Sequence, residues 1–195
     1  MLTKNIIFKN FHLKRINNNI KKDLKKLLKE KNVVLDSLSI NYKNSYSKKN
    51  ILNSKNYKNI RVIGMGGSIL GTEAIFDFLR PKIKKSFDFI NNIKTTKIFD
   101  VKSNKNLNLI VSKSGSTLET ISNSNIFIKK KDKNIFITEN KESYLFLLAK
   151  KLKAEIVHHN NFIGGRYSVL SEVGMLPAEL MGLNSNKFKQ LNNLI

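Results

Sequence analysis

Three short runs in this chain gather residue types that can grip an anion or steady a developing negative charge. The first is Gly64-Met65-Gly66-Gly67-Ser68-Ile69-Leu70-Gly71. Glycines let the backbone take positive φ and come close to a ligand. A turn that opens a helix offers unpaired N–H groups to an anion. Ser68 adds a hydroxyl that can donate to a ligand or cap the helix. The glycine spacing is wrong for the dinucleotide fingerprint, and the Gly-Lys-Ser/Thr of a P-loop is absent. Taken alone, the run reads as an anion-binding strand-to-helix turn, or as a tight turn with no ligand.

The second run is Ser112-Lys113-Ser114-Gly115-Ser116-Thr117-Leu118-Glu119-Thr120. Hydroxyls and backbone N–H groups can each donate to a phosphate oxygen, and Lys113 adds a point charge. A Ser/Thr cap on the following helix is the competing reading. The density of hydroxyls after an apolar strand favours a ligand. The third run is Gly164-Gly165-Arg166-Tyr167-Ser168-Val169-Leu170-Ser171, continuing to Gly174-Met175-Leu176-Pro177. Arg166 beside two glycines could stabilise negative charge on a ligand oxygen, or it could pair with a neighbouring helix. These residues alone favour neither.

Outside these runs, Lys14 to Glu30 carries Ile16, Ile20, Leu24, Leu27 and Leu28 at helical spacing among lysines, predicting an amphipathic surface helix. Residues 39–59 show no lasting period and read as a connector. Strands are predicted at Ile60–Gly64, Ser86–Ile90, Leu107–Ser112, Asn134–Thr138 and Ala154–His158. Helices are predicted at Ser68–Leu79, closed by Pro81, and at Ser116–Lys129, Glu142–Lys151 and Ser168–Met181, the last broken near Pro177. Strands alternating with helices argue for a parallel sheet covered on both faces. The first two chemical runs then fall at the carboxyl ends of strands, where open parallel sheets bind ligands.

Composition narrows the class. The 195 residues suit one domain with a sizeable core. No apolar run is long enough for a membrane span, and the start lacks the pattern of a secretory signal. Cysteine is absent, which excludes thiol chemistry and fits a cytoplasmic location. Lys and Arg number 36 against 14 Asp and Glu, a net charge of +22. The basic residues are scattered, so compositional drift explains them better than a nucleic-acid surface, and no nucleic-acid partner is expected. Such a field still attracts small phosphorylated anions.

In order and spacing the three runs resemble those of the glucose-6-phosphate isomerases, over roughly residues 58–183. The glycine turn through Ser68 looks like that family's first sugar-phosphate loop, Ser112 to Thr117 like its main phosphate loop, and residues 161–174 like its Gly-Gly-Arg signature. One departure is Glu172, where the family usually carries Pro or another small residue. The resemblance implies a sugar isomerase domain: an α/β three-layer sandwich with a five-stranded parallel sheet, here over residues 58–183. Residues 1–57 would form an amino-terminal helical and connector extension, and 184–195 would begin a connection to a second domain.

The resemblance further implies that Ser68, Ser112, Lys113, Ser114 and Thr117 hold the phosphate of glucose 6-phosphate or fructose 6-phosphate. Gly67 would lie against the sugar, Glu119 would support the pocket edge, and Arg166 would stabilise an enediolate-like intermediate. No cofactor or metal is implied. The family's proton-transferring Glu, His and Lys come from a second sugar isomerase domain and the carboxyl-terminal tail, the His from a neighbouring subunit of a dimer. Nothing here matches those motifs, so the expectation is a chain that binds sugar phosphate without turning it over alone. His158 and His159 close the fifth strand and read as exposed or structural, and His12 lies in the amino-terminal segment. Phe188, Leu191 and Leu194 fall at helical spacing on a face expected to meet the second domain. The alternative reading is a regulator module that senses a sugar phosphate without catalysis. It is disfavoured because residues 1–59 show one convincing helix rather than a helix-turn-helix.

Overall fold

The computed structural model describes residues 18–54, 56–93 and 106–189. The order is α1 (Asn18–Leu27), α2 (Val33–Ser37), α3 (Lys48–Ser54), β1 (Asn59–Gly64), α4 (Leu70–Leu79), β2 (Ser86–Ile90), β3 (Asn106–Val111), α5 (Leu118–Phe127), β4 (Lys133–Thr138), α6 (Tyr144–Lys151), β5 (Glu155–His158) and α7 (Glu172–Leu180). Short 3-10 segments sit at Gly66–Ser68, Arg80–Lys82, Gly165–Leu170 and Ser185–Lys189.

The five strands form one all-parallel sheet in the order β2-β1-β3-β4-β5. Alternate residues along each strand face opposite layers. Ile60, Val62, Leu107, Leu109, Ile135 and Ile137 face α4 and α7, where Phe76, Val173, Leu176 and Leu180 meet them. Ile63, Ile110 and Phe136 face α5 and α6, meeting Phe127, Leu145 and Ala149. Both faces being covered explains the near-continuous apolar strands. The three-layer α/β sandwich is therefore the fold.

One polar row, buried at Asn108 and Asn134, breaks the apolar rule. Asp88, Arg61, Asn108 and Asn134 stand in register across β2, β1, β3 and β4. Arg61 Nη1 donates to Asn108 Oδ1 at 3.4 Å and to the Phe127 carbonyl at 3.3 Å, and its Nε faces Asp88 at 3.6 Å. Asn108 Nδ2 donates to Asn134 Oδ1 at 2.8 Å, and Asn134 Nδ2 to the carbonyls of Lys129 and Asp132. The row thus meets the terminal carbonyl of α5 at Phe127, which the helix itself leaves without a donor, and two carbonyls of the turn beyond it. It also pins register, because a one-residue slip would move these polar side chains into the opposite apolar layer.

Three sequence expectations change. The connector over 39–59 contains α3, which packs on α7. The helix expected over Ser68–Leu79 ends at Leu79 ahead of Pro81 as expected, but it starts at Leu70, with Ser68 in a preceding 3-10 turn. The helix expected over Ser168–Met181 divides at Ser171, not near Pro177. Residues 165–170 form a 3-10 segment, and α7 runs through Pro177, whose missing N–H leaves the Val173 carbonyl without its helical donor; Thr72 Oγ1 donates to that carbonyl instead, at 3.4 Å. Ile16 of the first helix, and Leu191 and Leu194 of the expected apolar face, lie outside the described residues. Phe188 falls in the last 3-10 segment, half-buried.

Asn108→Ala removes an acceptor from Arg61 and a donor from Asn134. Stability is expected to fall by about 1–3 kcal/mol, the cost of orphaned buried polar groups. Urea unfolding with an unchanged midpoint would show that the row contributes nothing.

Candidate functional site

The strand order reverses between β1 and β3. From β1 the chain crosses to β2 on one side, and from β3 it crosses to β4 on the other. The turns leaving these neighbouring strands therefore diverge and open a crevice at their carboxyl ends. Gly64 pairs with Val111, so the two turns begin side by side. A Cβ on Gly64 would lie 3.0 Å from the Val111 carbonyl oxygen and 3.3 Å from Ser68 Cβ. Ser68 and Ser112 thus sit at the same end of adjacent strands.

Within the second run, Ser112 is buried, and its Oγ lies 3.1 Å from Thr117 Oγ1. Thr117 occupies the N-cap position of α5 without capping it, so the hydroxyl is committed to Ser112 and not to the helix. That weakens the capping reading and leaves the positive end of a ten-residue helix facing the crevice. Ser114 is exposed, and its Oγ accepts from Ser116 N–H at 3.3 Å and lies 3.0 Å from Ser116 Oγ. Gly115 takes φ +64°, and a Cβ there would meet Ser143 Oγ at 2.1 Å. Glycine is required by both conformation and space. Glu119 is half-buried in the first turn of α5, where its charge suits the dipole.

Lys113 is half-exposed. Its ammonium donates to the Asn161 carbonyl at 2.6 Å and pairs with Glu139 at 3.6 Å. It therefore ties the second run to the loop that precedes the third, instead of pointing only at a ligand. An ammonium has three protons, so these two contacts leave one to offer.

The third run closes the arrangement from the other side. A Cβ on Gly67 would fall 2.3 Å from the Gly165 carbonyl carbon and oxygen, so the first and third runs touch backbone to backbone. Ser168 is buried and its Oγ donates to the Gly165 carbonyl at 2.8 Å, holding the 3-10 segment. Arg166 is exposed and has no ion-pair partner among the described residues. The pairing of Arg166 with a neighbouring helix, open from the residues alone, is not found there.

Sequence reasoning missed Glu139 and Ser143, which position the second run from a strand end and a helix cap remote in sequence, and it included Asn161 in the Gly-Gly-Arg stretch without giving it a role. A signal existed only for Glu139, an acid at the carboxyl end of a predicted strand. His158 is exposed, whereas His159 is buried with its Nδ1 3.1 Å from the Asn160 carbonyl. Burial holds the His159 imidazole below its usual range, against the opposing pull of the Asn160 carbonyl and Glu172.

The five-stranded parallel sheet covered on both faces, with glycine and hydroxyl turns at its switch point, has the sugar isomerase domain fold. The phosphoglucose isomerase family model matches residues 10–193, and the chain belongs to that family. It is 36% identical over 142 residues to glucose-6-phosphate isomerase of Methanocaldococcus jannaschii, covering 67% of this chain and 35% of that one. It is 32% identical over 205 residues to the probable glucose-6-phosphate isomerase of Methanococcus maripaludis, covering 94% of this chain and 46% of that one. The chain therefore spans between a third and a half of the length of these relatives. Among solved structures, a hypothetical protein of Thermus thermophilus superposes with TM-score 0.64 at 21% identity, over 87% of this chain and 44% of that one. Tagatose-6-phosphate ketose/aldose isomerase of Escherichia coli superposes with TM-score 0.54 at 15% identity, over 90% of this chain and 46% of that one. These two likenesses concern the fold alone.

Two outcomes are expected. Gly67→Ala should lower stability by about 1–3 kcal/mol through overpacking against Gly165, while Gly164→Ala, whose Cβ would find its nearest neighbour at 3.9 Å, should unfold at the wild-type temperature. Equal melting of both variants would dismiss the backbone contact. His159 stays neutral when folded, so its contribution is complete above the unfolded value of 6.5 and is lost as pH falls from there towards the lower folded value. Urea midpoints should therefore drop less on acidification in His159→Gln than in the wild type; identical drops would rule out this source.

Proposed function

We propose that this chain binds a 6-phosphorylated aldose or ketose at the switch-point crevice and serves the interconversion of glucose 6-phosphate and fructose 6-phosphate. The observation that carries the reading is the pairing of the Ser68 turn and the Ser112–Thr117 turn on adjacent strands. Together they offer backbone N–H groups, hydroxyls, a lysine and an uncapped helix end to one dianionic ester. Ser68, Ser112, Lys113, Ser114 and Thr117 hold the phosphate, Gly67 lies against the sugar, and Glu119 supports the rim.

The isomerisation moves a proton between neighbouring carbons through an enediol, with the carbonyl transferred from the first carbon to the second. Electrons stay within the substrate, so the reaction draws on no external oxidant or reductant. Arg166, exposed and without an ion-pair partner among the described residues, stabilises the enediolate oxygen as charge develops there. The step also needs a base for the carbon-bound proton and an acid to open the ring. We assign neither role to residues of this chain. The base and acid come from a second sugar isomerase domain and a neighbouring subunit, with residues 58–183 acting as the first domain of a dimeric, cytoplasmic enzyme. Family membership and the relatives' names support this reading.

Calorimetric titration with glucose 6-phosphate tests it. Lys113→Ala should weaken binding by about 1–3 kcal/mol, the loss of a charge-assisted hydrogen bond. Arg166→Ala should leave affinity unchanged. Equal affinity in Lys113→Ala removes that lysine from the site, and absence of binding by the wild-type chain removes the phosphate reading. Conversion of glucose 6-phosphate by the purified chain alone would show that the base lies within it.

A further inference from the structure

Glu172 opens α7 directly after the Gly-Gly-Arg turn and is completely buried, 0% exposed. A carboxylate removed from water is costly unless donors surround it. Its Oε1 accepts the Asn160 backbone N–H at 2.8 Å, and its Oε2 accepts the Tyr42 hydroxyl at 3.2 Å. Lys189, 2% exposed, stands over the Tyr42 ring at 4.7 Å, and burial lowers its pKa against the opposing pull of Glu172.

What Glu172 holds is the loop that Lys113 also holds. Asn160 gives its N–H to Glu172, and the next carbonyl, Asn161, takes the Lys113 ammonium. Asn160 then folds the loop onward, its Oδ1 accepting from Phe162 N–H and its carbonyl from Ile163 N–H. Gly164, Gly165 and Arg166 follow at once. The buried carboxylate therefore anchors one end of a short turn whose other contacts are the lysine of the phosphate run and the Gly-Gly-Arg backbone.

We propose that Glu172 is a positioning residue of the anion site, fixing the 160–163 loop so that Asn161 places the Lys113 ammonium. This rests on the phosphate-binding reading above. Glu172 touches no ligand itself. Release of the Asn160 amide frees the Asn161 carbonyl to move, and Lys113 keeps Glu139 as its remaining partner, drawn away from the crevice. The groups that decide whether the carboxylate stays in place are Tyr42 from the connector, Lys189 from the last 3-10 segment, and Asn160.

The experiment is a double-mutant cycle on the 195-residue chain, titrated calorimetrically with glucose 6-phosphate, with amide exchange of Phe162 and Ile163 read in parallel. Glu172→Ala should weaken binding about tenfold and speed exchange at both amides. Glu172→Gln combined with Lys189→Met keeps the acceptor for Asn160 and leaves no buried lone charge. It should restore affinity to within about twofold of wild type, while Glu172→Leu with Lys189→Met, which removes the acceptor and leaves no lone charge, should weaken binding about tenfold and keeps the test usable should Glu172→Ala fail to fold; wild-type affinity there would overturn the proposal. Adding Glu172→Ala to Lys113→Ala should cost less than about twofold more, because both act through one ammonium. Full additivity of the two losses, or wild-type affinity in folded Glu172→Ala, would overturn the proposal. If the wild-type chain binds no glucose 6-phosphate, the functional reading falls separately. Amide exchange then still decides whether Glu172 holds the loop: unchanged exchange in Glu172→Ala overturns the positioning role as well.

Discussion

Everything at the carboxyl end of this sheet depends on the divergence of β1 and β3. Two parallel strands lie side by side, and their onward connections must cross to opposite layers. The backbone N–H groups that start each following helical segment cannot be satisfied by the sheet they leave. A crevice lined by such groups is a standing invitation to an anion. The hydroxyls of Ser68, Ser112 and Thr117 enlarge that donor set without filling the crevice with side chain.

The site is assembled by backbone proximity more than by long side chains. Gly67 lies against Gly165, and Gly115 lies against the cap of α6. Lys113 and Glu172 then act on one loop from two directions. Such an arrangement is stiff, since interiors this closely packed yield little to small displacements. At the opposite end of the sheet, the Asp88-Arg61-Asn108-Asn134 row does related work for the fold. It pins the register on which the alignment of the two turns depends.

Legibility in the sequence followed the range of the forces involved. The strands were readable because a doubly covered parallel sheet needs continuous apolar runs, such as Leu107 to Val111. The three chemical runs were readable because glycines and hydroxyls were concentrated beside them. The break in the last helix falls at Ser171 and not near Pro177, because a proline rule does not see Thr72 arriving from another helix to serve the Val173 carbonyl. Glu172 stood out as a departure, yet its burial and its partners were invisible. Tyr42 and Lys189 are far from it in the chain.

By itself the order of residues determined the α/β class, the alternation of strands and helices, and which turns carried donors. These follow from local periodicity and from the conformational freedom of glycine, both short-range properties. Only the tertiary structure decided that the reversal of strand order falls between the two donor turns, that Gly67 touches Gly165, and that Lys113 and Glu172 hold one loop. Those outcomes depend on which distant segments meet when apolar faces are buried, and burial is non-directional, so no local pattern encodes the meeting.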